Sequence, residues 1–155
     1  MNRSDFKIWS GKRVRLLDGA TGSNLREAGM PAGVCSETWI CEHPEALQTL
    51  QRAYLAAGSE ILLAPTFGAN RILLANHGLE HKAEPLNRAL VAISRDAAGR
   101  EALVAADLTT TGQPVLPGDD AAYRRLLDVY TEQAEAVLSA GVDLFLLETL
   151  MGLTE

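Results

Sequence analysis

The strongest constraint on the fold is a short motif that occurs three times at nearly constant spacing. In each copy an Ala-Gly pair and an acidic residue lead into a run of apolar residues, as in Ala57–Glu60 followed by Ile61–Ala64. The glycines stand at positions 58, 99 and 141. A glycine ends a helix at low steric cost because it adopts positive φ, and an unbroken apolar run is typical of a strand buried on both faces. Each copy therefore predicts a helix end followed by a buried strand.

Helical periodicity fills the segments between these strands. Apolar residues recur at steps of three and four after Pro44 and after Pro85, and proline suits the first positions of a helix. The longest stripe covers Tyr123–Val137 and follows Asp119–Asp120, whose negative charges favour a helix N-terminus. A further short helix is predicted over Gly68–Asn76.

The alternation of strands and helices predicts an α/β fold with parallel strands. Arg13–Leu17 is a weaker strand candidate at the start of the series, so four strands are expected in all. Right-handed crossovers make neighbouring strands parallel, and both an open doubly wound sheet and a (β/α)8 barrel are built in this way. Four units of about 40 residues would fill only half of such a barrel, which needs at least ~200 residues.

Composition excludes several classes of protein. The chain of 155 residues has 47% hydrophobic and 22% charged residues and a net charge of −6, which argues against coating of nucleic acids or of anionic membranes. No apolar run reaches the ~18 residues of a membrane span, and the first residues do not resemble a secretory signal. With only two cysteines, a disulfide framework is not expected. The sequence predicts a cytoplasmic protein that binds neither nucleic acid nor membrane.

Acidic residues follow three of the four predicted strands. Asp18 follows Arg13–Leu17, Asp107 ends the third strand candidate and Glu148 follows the fourth, whereas Thr66 follows the second. In both architectures the carboxyl ends of the strands carry the chemistry. Each carboxylate alone is also explained as a helix or loop cap. Together, Asp18 and Glu148 are placed to converge on one cationic group, such as an ammonium.

Three other features suggest sites and are explained more simply by structure. The glycine-rich segment Asp18–Asn24 lacks the lysine and the glycine spacing of phosphate loops, and a plain βα turn accounts for it. Cys35 and Cys41, with His43 nearby, do not have the spacing of structural zinc ligands. A last pair of histidines, four residues apart, flanks a glycine. No metal site is predicted from these residues.

Several segments, in a fixed order, resemble the homocysteine S-methyltransferase family. The similarity covers about Val14 to Glu155. The segments that carry it are Leu17–Leu25, Glu37–Trp39, His43–Glu45, Ala56–Gly58, Ala64–Asn70, Tyr130–Gln133 and Ala140–Leu150.

The resemblance implies a (β/α)8 barrel, of which this chain holds about the first four βα units. Residues 1–12 are then an N-terminal extension, and residues 13–155 the N-terminal half of a homocysteine-binding barrel domain. It further implies a methyltransferase that moves a methyl group from a small-molecule methyl donor to the homocysteine thiolate and yields methionine, within methionine biosynthesis. The expected substrate-binding residues match family motif positions: Asp18 and Glu148 for the amino group, with Gly19, Thr21, Thr66 and Asn70 lining the same pocket.

The chain departs from the family in its cysteines. The family's zinc is held by three thiolates on later strands, and neither Cys35 nor Cys41 matches those positions, so no metal ligand and no catalytic residue is predicted here. The segment Ala106–Gly112 also differs from the small, glycine-rich ending expected for the third strand. The chain alone is therefore expected to be inactive and to need a complementing C-terminal half. The alternative is a non-catalytic half-barrel that self-associates and binds an amino acid, or serves as a regulatory remnant.

Overall fold

A computed structural model describes residues 2–152 and shows an α/β fold with parallel strands. Helices and strands largely alternate from the fourth helix onward. In chain order they are α1 (Arg3–Ser10), α2 (Gly22–Glu27), α3 (Ser36–Glu42), α4 (Pro44–Ala56), β1 (Ile61–Ala64), α5 (Arg71–Leu74), α6 (Ala83–Ala98), β2 (Leu103–Leu108), α7 (Asp120–Ser139) and β3 (Leu144–Leu147). Two 3-10 turns, Ala75–His77 and Glu80–Lys82, connect α5 to α6.

The three strands form one parallel sheet in the order β1-β2-β3. β1 runs beside β2 from the Ile61–Leu103 pair to the Ala64–Ala106 pair. β2 runs beside β3 from the Ala105–Leu144 pair to the Leu108–Leu147 pair. The carboxyl ends of all three strands therefore lie at one edge of the sheet, as a partial barrel requires.

The strand predicted over Arg13–Leu17 is reduced to a single bridge between Leu17 and Ile61. The amide groups of Glu60 and Ile61 donate to the Leu16 carbonyl, and pairing does not extend further towards the N-terminus. The arginines of this segment instead form ion pairs with Glu60. The segment therefore contributes one point of contact to the sheet, and the described residues contain three strands rather than four.

The helix boundaries follow the capping signals. α4 begins at Pro44, as predicted, and Asp119 caps α7 by accepting a hydrogen bond from the Ala122 amide at 2.9 Å. α6 begins two residues before Pro85, which therefore lies in the first turn. The short helix predicted over Gly68–Asn76 is smaller, because Asn70 caps α5 with its side chain and the chain then tightens into a 3-10 turn.

The three repeated glycines adopt the predicted conformation. Gly58, Gly99 and Gly141 have φ angles of 108°, 56° and 92°, which side chains with a Cβ rarely adopt. Each follows a long helix and precedes a strand, so the 41- and 42-residue periodicity corresponds to successive helix–strand units.

Two main apolar clusters form the core. One joins β1 and β2 to α6 and α7 through residues such as Leu62, Val91, Val104 and Val137. The other packs α2, α3 and α4 against α6 around Leu25, Ile40, Leu47, Ala69 and Leu90.

The N-terminal helix α1 buries none of its residues. It contacts the rest of the chain where the Arg15 guanidinium stacks on the Trp9 ring, 4.0 Å from its centroid. The boundary between residues 12 and 13 stays a prediction, and residues 153–155 of the predicted barrel domain, like Met1 of the extension, lie outside the described residues. Within the described part, no helix is both long and apolar enough to cross a bilayer.

Candidate functional site

A cavity of about 460 Å³ opens at the carboxyl end of the sheet. Its wall combines the turn before α2, one face of α3, the end of β1, one residue of β2 and the residue that follows β3. The residues that line it include Asp18, Gly19, Thr21, Glu37, Asp107 and Glu148. Four of these are acidic, and no lysine, arginine or histidine is present among the described residues of the wall. The side chains of the cavity wall therefore carry negative charge without a compensating positive charge among the described residues.

Asp18 stands where the chain leaves its bridge with β1. Its amide donates to the Ile61 carbonyl at 2.9 Å, and its Oδ2 accepts a hydrogen bond from the Leu63 amide at 3.1 Å. Burial raises the pKa of the Asp18 carboxyl to about 6, although the Leu63 amide opposes the shift. The other oxygen, Oδ1, is buried without a hydrogen-bond partner in the described part of the chain. Asp18 is thus ionised at neutral pH and keeps one acceptor free.

Glu148 approaches the same cavity from β3. Its amide donates to the Leu108 carbonyl at 3.0 Å, which continues the hydrogen bonding between β2 and β3 by one residue. This contact fixes the backbone position of Glu148. The residue itself is exposed to solvent. Both carboxylates that the sequence singled out therefore line one cavity, Asp18 in its wall and Glu148 at its exposed side.

Asp107, which the sequence placed at a strand end but did not single out as a site residue, also lines the cavity. It lies within β2 and is only 7% exposed. Burial, together with the negative charges of Glu148 and Asp18, raises the pKa of its carboxyl to about 7. Its place at a strand end was the available signal, but a single carboxylate there is also explained as a cap. Only the structure shows it facing Asp18 and Glu148.

Gly19 and Thr21 are also among the residues that line the cavity, and the position of Tyr54 accounts for a glycine at residue 19. A Cβ at Gly19 would lie 2.9 Å from the Tyr54 ring, so a larger residue does not fit without displacing it. The Tyr54 hydroxyl donates to the Ala20 carbonyl at 2.9 Å. Tyr54 belongs to the apolar stripe of α4, and that stripe indicates packing but not this hydrogen bond.

Thr66 and Asn70, which were expected to line the pocket, are fully buried and are not among its described lining residues. The Thr66 hydroxyl donates to the Asp107 carbonyl at 2.9 Å and accepts from the Asp107 amide at 3.0 Å. The Asn70 Oδ1 accepts from the amides of Ile72 and Leu73 at the start of α5. Their short polar side chains form hydrogen bonds with backbone groups behind the cavity. In these contacts both residues hold the backbone of the neighbouring segments in place.

Behind Thr66, two buried amide side chains connect the segment that follows β1 to the helices. Gln133 of α7 donates to the Thr66 carbonyl at 2.8 Å and approaches Asn87 Oδ1 at 3.4 Å. Asn87 of α6 donates to the carbonyls of Ala69 and Ala83. A glutamine within the apolar stripe of α7 was the signal for this network, since a buried amide needs partners.

Glu37 joins the cavity to the cysteines. Its Oε2 accepts hydrogen bonds from the Cys35 thiol at 3.2 Å and the Ser36 hydroxyl at 3.1 Å. A Cβ at Gly68 would lie 2.4 Å from Glu37 Oε1, so the glycine leaves room for this carboxylate. Glu37 therefore has local partners, in contrast to Asp107.

The two cysteines do not fit the three-thiolate zinc site that the resemblance implies. Burial raises the pKa of both the Cys35 and the Cys41 thiol, and Glu37 raises them further, which disfavours the thiolate that binds zinc. Both thiols belong to or pack against a buried apolar cluster with Leu74 and Leu86. Across residues 2–152, no group of three or more His, Cys, Asp or Glu has the arrangement to hold a metal ion.

Comparison with known proteins gives one consistent result for the sequence. A family model described as homocysteine S-methyltransferase matches residues 15–155. The methionine synthase of Mycobacterium leprae is 30% identical over 164 residues, and that of Mycobacterium tuberculosis is 30% identical over 157 residues. Each alignment covers 93% of this chain but 13% of the relative. The chain thus spans about an eighth of these curated relatives.

The fold is also similar to solved structures. The metallated form of the homocysteine methyltransferase MmuM from Escherichia coli superposes with a TM-score of 0.82 at 21% identity, covering 96% of this chain and 58% of that one. Its oxidised form gives a TM-score of 0.81 at 21% identity, with 99% and 59% covered. At this identity the likeness concerns the fold alone. The chain matches 58% and 59% of the two solved chains, which have the larger α/β fold.

Proposed function

The chain belongs to the homocysteine S-methyltransferase family, and on that premise we propose that it binds the amino-acid end of homocysteine in the acidic cavity. The observation that carries the proposal is the convergence of Asp18 and Glu148 on one cavity without a basic residue in its described wall. An ammonium group compensates buried carboxylates, which are costly without a partner.

Asp18 has the clearer role in this binding. One of its oxygens is already held by the Leu63 amide, and this contact fixes the direction of the free oxygen. Glu148 approaches from β3 and is more exposed. The substrate ammonium would donate to both, which is a pair of charge-assisted hydrogen bonds. Gly19 and Thr21 would complete the wall on the side of α2.

The reaction proposed for the whole barrel is transfer of a methyl group to the homocysteine thiol, which yields methionine. In this chain the described residues provide binding and orientation of the amino acid. They do not provide a zinc site, and a free thiol with a pKa of about 8.5 is only a few per cent ionised at pH 7. We therefore expect the chain alone to bind without turnover, checked by assay of methionine formation with and without a supplied C-terminal half.

Isothermal titration calorimetry with L-homocysteine tests the binding proposal. Asp18→Asn and Glu148→Gln should each weaken binding by about tenfold or more, because each removes a charge-assisted hydrogen bond worth ~1.5–3 kcal/mol. Asp128→Asn, on the exposed side of α7, is the matched control and should bind like the unmodified chain. Equal affinity of all four proteins, or no binding by the unmodified chain, would refute the assignment.

A second candidate function is a self-associating half-barrel that binds an amino acid without methyl transfer. The observation that favours it is the apolar groove between α7 and β3, where Phe145 and Leu147 are 44% and 61% exposed. Its signature would be a discrete symmetric dimer that binds L-homocysteine and remains inactive when a C-terminal half is supplied. Activity in the complemented protein would favour the first function.

A further inference from the structure

The Asp107 carboxyl is directed into the acidic cavity without a partner of its own. The residue is more than nine-tenths buried, and its Oδ1 makes no hydrogen bond among the described residues. Its backbone is held from behind by the Thr66 hydroxyl, on both the amide and the carbonyl side. A buried acid held in place with an unused acceptor is a costly arrangement unless a ligand completes it.

The groups that face Asp107 are all acidic. Asp18 comes from the turn before α2, Glu148 from the end of β3 and Glu37 from α3, and the described wall carries no basic side chain. Glu37 Oε2 already accepts hydrogen bonds from Cys35 and Ser36. Asp18 and Asp107 each keep one buried oxygen without a hydrogen bond among the described residues, and Glu148 is exposed at the side of the cavity. The set does not have the arrangement to hold a metal ion. An ammonium has three N–H donors that can point in different directions, so one ammonium can bond to as many as three carboxylates.

We propose that Asp107 is a third acceptor for the amino group of the substrate and releases its own proton when that group enters the cavity. The inference rests on the proposed function, since it concerns the same ammonium. No covalent bond changes in the substrate. The carboxyl O–H of Asp107 breaks, its proton passes to the solvent and the ionised oxygen accepts a hydrogen bond from the ammonium.

Two consequences can be measured. The pKa of Asp107 is about 7, so about half of the empty molecules carry this proton at pH 7 and ligand binding should release about half a proton. Asp18, with a pKa of about 6, adds only about a tenth of a proton at that pH. The cavity should also strongly prefer amino acids to 4-sulfanylbutanoate, which is homocysteine without its amino group.

The test is calorimetric titration with L-methionine, which carries the same amino-acid end and no titrating thiol. Measurements at pH 7 in two buffers of different ionisation enthalpy give the number of protons released. The unmodified chain and the control Asp128→Asn should release about 0.6 of a proton, about half from Asp107 and about a tenth from Asp18. Asp107→Asn should release about a tenth and bind roughly tenfold more weakly, with part of its preference over 4-sulfanylbutanoate lost.

The outcomes separate this inference from the proposed function. If the unmodified chain binds neither L-homocysteine nor L-methionine, the proposed function and the role of Asp107 are both refuted. If binding depends on Asp18 while Asp107→Asn keeps the full affinity and proton release, only the role of Asp107 is refuted. Should Asp107→Asn not fold, the pH dependence of the unmodified chain decides. Its affinity for L-methionine should fall about tenfold or more from pH 8 to pH 6, and a constant affinity would overturn the inference.

Discussion

At the scale of single residues, the cavity is built from side chains held by backbone contacts. Asp18 is oriented by the Leu63 amide, and Asp107 is anchored through Thr66. These contacts determine where the acids stand without neutralising them. The same arrangement predicts how the empty protein responds to pH.

Asp107→Asn should stabilise the empty protein at high pH and have little effect at low pH. The folded-state pKa of about 7 lies above the ordinary value of 3.8, so the folded state holds the proton more tightly than the unfolded state. Stability is therefore lost as pH rises from about 4 through 7, where the unfolded state ionises more readily. The variant should gain about 1–2 kcal/mol in free energy of unfolding at pH 8, after allowance for solvent screening.

Urea unfolding at pH 4.5 and pH 8 measures this difference. Asp128→Asn, an exposed change of the same kind, should leave the free energy of unfolding nearly unchanged at both values of pH. A gain for Asp107→Asn of the same size at both pH values would contradict the shifted pKa.

Thr66→Val should destabilise the chain by about 1–3 kcal/mol, because it leaves a buried amide and carbonyl of Asp107 without the hydroxyl. The replacement keeps nearly the same volume, so the effect comes from the hydrogen bonds. Thr66→Ser keeps the hydroxyl and is the matched control. Thermal or urea unfolding should place the serine variant much nearer the unmodified chain than the valine variant, and similar losses for the two would assign the effect to packing.

At the scale of helices and strands, the glycine turns make a separate contribution to stability. Gly141 has a φ of 92° and a Cβ there would meet no atom within 4 Å, so only backbone strain opposes Gly141→Ala. The variant should lose about 1–2 kcal/mol in free energy of unfolding.

The control for this turn is Gly22→Ala at the start of α2, where the open space is the same and φ is not positive. Chemical unfolding should show no loss for the control, or a gain below ~1 kcal/mol. If both substitutions cost the same, the strain at Gly141 is not the cause.

The elements with clear end signals were predictable from the sequence. The glycine turns, the apolar strands after them and the proline or aspartate at the start of α4 and α7 are local signals, and the structure confirms them. The segment Arg13–Leu17 was less predictable because its pairing depends on a contact with β1, distant in sequence. For the same reason, local patterns could not show that Thr66 and Asn70 are buried. They also could not show that Asp107 lies near two other acidic residues.

At the scale of the whole molecule, the sheet presents an apolar surface at β3. Phe145 and Leu147 are exposed there, next to Leu127 of α7, and in the described residues β3 is paired on one side only. Unpaired strand edges and contiguous apolar patches promote association. We expect the chain to self-associate at high concentration, or to be covered there by a complementing half.

Leu147→Glu should shift the chain towards the monomer, since it places a charge in this surface. Leu138→Glu is the matched control, because Leu138 is 60% exposed on α7 but does not line the groove. Sedimentation velocity over a range of concentrations compares them. A monomeric unmodified chain at the highest concentration would contradict self-association, and equal association of the two variants would place the contact elsewhere.

Residues at the amino ends and at the carboxyl ends of the strands have different effects on the protein, and this affects how such a chain evolves. Gly58, Gly99 and Gly141 precede the strands, whereas Asp107 and Glu148 stand at or after strand ends, on the opposite edge. A mutation in the turns changes stability with little effect on the cavity, and a mutation at the tips changes the cavity while the turns stay intact. A homologue could therefore change its ligand through substitutions at the strand ends and still be recognised as a relative by its glycine turns. Common ancestry is seen in the turns before the strands, and ligand preference depends on the residues at the strand ends.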